Sequence, residues 1–198
     1  MAYAIQDQVV EPFPLIETGE QVVAPPDGTH LFYTKYINAD GVVIVSSDAV
    51  PDAALIGAYR TILHLTSYRP DVLEAMLQHK PRISIMGLSE TASDLPEFGS
   101  SSDGQWGLGQ MPDSSTSLVS VRGVCYPGNG EYRANFLLHE FVHAMQNLGW
   151  SSTDPQIEDE VWGAYVNAVK QGYFKAPSNE PLEGITPFAA LGDDEYLP

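Results

Sequence analysis

Two histidines stand four residues apart in His139-Glu140-Phe141-Val142-His143, with a glutamate directly after the first. Residues i and i+4 of an α-helix share a face, so both imidazoles can reach one metal ion. Glu140 then stands where it can touch a water on that ion. This is the chemistry of a hydrolytic zinc site, with His139 and His143 as ligands and Glu140 as general base. In a chain of this composition the pattern arises by chance about 0.01 times, which favours a metal site over two ordinary helix histidines.

The surrounding residues must supply the helix. From Phe136 to Leu148 the apolar residues Leu137, Phe141, Ala144 and Leu148 recur at i, i+4, i+7 and i+11. That stripe lies roughly opposite His139 and His143, with Glu140 on the flank. The expectation is a helix starting near Tyr132 that buries one side and turns its histidines away from the core.

Upstream, residues 1–30 are rich in Pro, Gly and acids and read as an irregular arm ahead of a single domain over 31–198. Leu31–Ile37 reads as a strand, and Asn38-Ala39-Asp40-Gly41 as a turn. Gly41–Val45 is a β-branched run without polar alternation, suited to a buried strand. Pro51-Asp52 opens a helix to about His64, and a shorter helix follows Arg69-Pro70-Asp71. Arg82–Met86 is a strand. Residues 87–117 form a long loop, functional or mobile at that length, with a short edge strand near Trp106–Gly109. Leu118–Arg122 is a further strand. After the HExxH helix, a last one runs from about Pro155 to Tyr173, with Ile157, Val161, Trp162, Tyr165, Val166 and Val169 inward. Strands and helices do not alternate strictly, so α+β is the expected class.

Composition narrows the partners. The 198 residues carry 9 Lys+Arg against 26 Asp+Glu, a net charge of -17. Nucleic-acid phosphates and anionic membranes need a basic face, so neither is expected. No apolar run reaches membrane-spanning length. The single Cys125 excludes an internal disulfide. The opening MAYAIQDQVV lacks a basic region and an apolar core. A cytoplasmic protein, or a secreted one whose leader has been removed, is the expectation.

Catalytic zinc takes three protein ligands and leaves a position for water. Gly149 occupies the place of the third histidine in the HExxHxxGxxH class. Glu158 and Glu160 are near candidates, and both also suit the first turn of a helix. Glu195 is a distant one. Spacing alone does not choose among them.

Several stretches carry a resemblance: Arg69-Pro70-Asp71-Val72, Met86–Glu97, Cys125–His143, Ala164–Phe174 and Asp193–Tyr196. In this ordered set the chain resembles the lethal-factor-type zincins, a group that includes the Pro-Pro endopeptidases. The resemblance implies a zincin-like domain, a small mixed sheet packed on helices around the HExxH helix. It implies a Zn2+ cofactor and a peptide or protein substrate lying extended along an edge strand before that helix. It assigns the third ligand to Glu195. The family's tyrosine that supports the tetrahedral intermediate falls here on Phe188, which has no hydroxyl to donate. Loss of one such donor lowers turnover by ~100-fold or more. Tyr165, Tyr173 and Tyr196 are the hydroxyls that could replace it. The expected activity is zinc-dependent endopeptidase. Its rivals are a zinc enzyme acting on a non-peptide small molecule and a catalytically impaired metal-binding protein.

Overall fold

The computed structural model describes residues 15–98, 107–109, 116–125 and 135–172. Their centre is a mixed sheet of β1 (Lys35–Ala39), β2 (Val42–Ser46), β3 (Arg82–Met86), β4 (Gly107–Leu108) and β5 (Ser117–Ser120), in the order β1-β2-β3-β5-β4. β2, β3 and β5 run parallel, and the two outer strands are antiparallel to their neighbours.

The β1–β2 hairpin closes on Asp40 and Gly41, both at positive φ (49° and 98°). That pair of conformations suits Asp-Gly and matches the twist of the flanking strands. β2 and β3 are buried along their whole length, as expected of strands covered on both faces.

One face carries the helices: α1 (Asp52–Ser67), α2 (Pro70–Leu77), α3 (Val121–Cys125) and α4 (Phe136–Met145). Ile37, Ile44, Ile83, Ile85 and Val119 of the sheet meet Leu55, Ile62, Met76, Leu137 and Phe141 in one continuous core. A π-helical turn, Gln146–Trp150, continues α4 into the short α5 (Ser151–Thr153), and α6 (Ile157–Lys170) follows.

The other face is covered by irregular chain through Phe32, Tyr33, Leu95 and Phe98, and the outer edge of β1 is paired as well. Val23 bridges Tyr36 through both backbone hydrogen bonds, at 2.9 Å each. Asn38 donates through Nδ2 to Ile16 O, and its backbone N–H donates to Thr18 Oγ1, both at 3.0 Å. Residues 15–30 are irregular, as the composition implies, but they are docked along β1.

A buried polar cluster ties this cover to the sheet. Arg82 Nη2 lies 2.8 Å from Glu97 Oε1, at side-chain exposures of 5% and 3%. Glu97 Oε1 has no aligned hydrogen-bond donor, so this contact acts through charge. Tyr33 Oη donates to Glu97 Oε2 and lies 2.9 Å from Ser84 Oγ. Burial first, and then the Glu97 charge, push the Tyr33 hydroxyl well above its ordinary pKa of 10.0. Burial pulls the Arg82 guanidinium down, against the upward pull of Glu97.

Three local expectations change. Residues 31–34 precede the strand instead of joining it: the Tyr33 backbone N–H closes a turn on His30 O at 3.0 Å, and its side chain donates to Glu97. Val121 and Arg122 leave the sheet and begin α3, whose Gly123 lies so close to Phe136 that a Cβ would stand 2.5 Å from that side chain's Cβ. Trp162 is 49% exposed instead of inward; among the described side chains of α6 only Ala168 is buried. No helix among the described residues is long and apolar enough to cross a membrane.

Candidate metal centre

The sequence begins α4 at Asn135. Its side-chain oxygen accepts from the Leu138 backbone N–H at 3.1 Å, satisfying one of the free amides of the first turn. Below that cap, Leu137, Phe141, Ala144 and Met145 are buried in the core. The helix lies against β5, β4, α1, α2 and α3. This anchoring fixes where the other side of α4 points.

On that side His139 and His143 are half-buried and face each other. Their Nε2 atoms are 3.0 Å apart, with rings edge to face and centroids 4.6 Å apart. Two nitrogens on a tetrahedral zinc, each at about 2.0–2.1 Å, stand about 3.3 Å apart. A small opening of the rings is enough to admit the ion. Burial first, and the neighbouring His139 second, hold the His143 imidazole down from 6.5 to about 4. It is therefore neutral at pH 7, the state that offers a lone pair to a metal.

Glu140 is buried, although the helical stripe puts it only on the flank. The cause is β4 and the residue after it: Gly107 lies directly against the Glu140 carboxylate, and Gly109 against the His143 Cβ. A carboxylate oxygen of Glu140 and the two imidazole nitrogens all lie within 4.8 Å of one another. Two imidazoles and a carboxylate are groups that zinc accepts.

Gly149 shows why the third-histidine pattern is absent. A Cβ there would lie 2.6 Å from Val72 Cγ1 and 2.9 Å from the Val72 carbonyl oxygen. The π turn packs too closely on α2 for any side chain at that position.

Of the other candidates, Glu160 is exposed on α6 and is not part of the His139–Glu140–His143 group. Glu158 and Tyr165 belong to α6, with only their backbones described. Tyr173, Phe188, Glu195 and Tyr196 lie outside the described residues. The sequence reading passed over Asn135 and the pair Gly107 and Gly109. A Gly-x-Gly in a short edge strand was the available signal for the latter.

Comparison with protein-family models, with curated proteins and with solved structures returns no match for this chain. What stands on its own evidence is an α+β protein carrying a His-Glu-x-x-His group on a core-anchored helix beside a sheet edge.

Proposed function

We propose that the chain is a zinc-dependent endopeptidase of the lethal-factor zincin type. The observation that carries this reading is the convergence of the His139 and His143 Nε2 atoms beside the buried Glu140 carboxylate, under an antiparallel outer strand. His139 and His143 hold the ion, and the sequence resemblance supplies Glu195 as third ligand. A zinc ion bound there supplies Lewis acidity, polarising a carbonyl and acidifying a water. Glu140 takes a proton from the attacking water and delivers it to the leaving amine. β4 offers its backbone to an extended peptide, and pairing along it positions the scissile bond over α4.

The Phe188 position favours a second reading. If no hydroxyl replaces the missing one, the site serves a small-molecule hydrolysis or retains zinc without efficient proteolysis. One experiment separates these. The zinc-loaded protein is incubated with casein and a fluorogenic peptide library, beside Glu140→Ala. Cleavage that disappears in the variant supports the endopeptidase. Equal cleavage by both proteins removes Glu140 as base. Zinc binding without any peptide cleavage leaves the second reading.

A further inference from the structure

Two glycines, Gly107 in the outer strand β4 and Gly109 directly after it, lie hard against α4. An ideal Cβ on Gly107 would overlap Glu140 Oε1 and lie 2.7 Å from both Cδ and Cγ of the same side chain. On Gly109 it would lie 2.7 Å from His143 Cβ and 3.4 Å from Glu140 Oε2. Real Cβ contacts essentially never fall below 3.0 Å. Gly107 in β4 and Gly109 just after it thus both turn a bare backbone toward α4. The bareness is selective, because each glycine faces a different member of the His139–Glu140–His143 group.

We infer that Gly107 and Gly109 are positioning residues of the site, the first seating the Glu140 carboxylate and the second seating His143. The Glu140 carboxylate lies between its own helix and the Gly107 backbone, which restricts its rotamers and aims it. A methyl at 107 displaces that carboxylate and leaves the two imidazoles where they are. A methyl at 109 meets the root of the His143 side chain instead of a flexible tip. Backbone must then move, and the imidazole moves with it. The two substitutions therefore damage different halves of the chemistry: proton transfer at 107, metal retention at 109. The roles rest on the hydrolase reading, whereas the contact of Gly107 with Glu140 can be measured without turnover.

The test uses the full zinc-loaded chain and the variants Gly107→Ala, Gly109→Ala, Glu140→Ala and the double variant Gly107→Ala/Glu140→Ala. Overpacking at 107 is expected to lower Tm by at least ~3 °C when Glu140 is present. The same change is expected to cost under ~1 °C when Glu140 has been cut to alanine. Zinc affinity, read by competition with a chromophoric chelator, is expected to stay within ~3-fold for Gly107→Ala and to weaken ~10-fold or more for Gly109→Ala. On a cleaved peptide, Gly107→Ala is expected to lose ~10-fold or more in kcat with little change in KM. An equal Tm loss in both backgrounds overturns the inference, as does equal zinc loss in the two glycine variants. Should Gly107→Ala fail to fold, folding of its double variant with Glu140→Ala supports the contact, and failure of both overturns it. Absence of peptide cleavage by the unaltered protein removes the endopeptidase reading alone, since the Tm comparison and the zinc titration still decide the glycines.

Discussion

Glu97→Gln keeps the shape of the side chain and removes its charge. The Arg82 guanidinium, at 5% side-chain exposure, then loses the carboxylate that stands 2.8 Å from its Nη2. Breaking a buried ion pair from one side costs about 3–5 kcal/mol, because a charge is left without compensation in a poorly solvated place. At about 2–4 °C of Tm per kcal/mol for a chain of this size, the expected drop is roughly 6–20 °C. Glutamine still hydrogen-bonds, so the lower half of that range is the expectation. Removing both charges, with Arg82→Met and Glu97→Leu together, is expected to cost less than either single change. Differential scanning calorimetry of Glu97→Gln, Arg82→Met, Glu97→Leu and the double variant reads all of this. Zinc affinity is expected to stay unchanged throughout, because the ion pair lies on the sheet face away from α4. A Glu97→Gln shift under ~2 °C, or a double variant no better than the sum of its parts, would refute the account of this cluster.

Three further outcomes follow from the site and its supports. Zinc at 100 times its dissociation constant is expected to stabilise the protein by about 2.7 kcal/mol, an upward Tm shift that His139→Ala and His143→Ala abolish. In the metal-free protein the lowered His143 pKa, about 4 against an ordinary 6.5, means that the unfolded chain binds more protons between those values. Stability present above about pH 6.5 is therefore lost as the pH falls toward about 4, and thermal melts against pH, with His143→Ala as control, check the sign. Gly149→Ala presses a methyl onto the Val72 carbonyl and is expected to cost about 1–3 kcal/mol, read by urea denaturation.

Much of the scaffold was legible because it depends on local pattern. Arg82–Met86 reads as a strand between Pro81 and Gly87, and the structure gives the same bounds. Asp40-Gly41 marks the hairpin, and the apolar stripe of α4 reports its buried side. What the pattern missed was decided by partners far away in sequence. Tyr33 ends a turn from His30 and reaches Glu97, 64 positions on, instead of extending the strand. α3 forms where the apolar run of β5 invited more strand, because Val121 joins the core shared with α1 and α4. The histidine pair followed from helical spacing alone, but the burial of Glu140 did not. That burial comes from β4, a short edge strand the sequence marks without showing which side chains it packs on.

The π turn at Gln146–Trp150 fits one more residue into its hydrogen-bonded loop than α geometry allows. Every side chain beyond it is rotated by about 100° from where an unbroken helix would aim it. The histidine end of the rod and its packing end thus have independent phases. A one-residue deletion in the turn would swing Gly149 away from Val72 and Met76 while leaving His139 and His143 in register, so the two ends can diverge separately under selection.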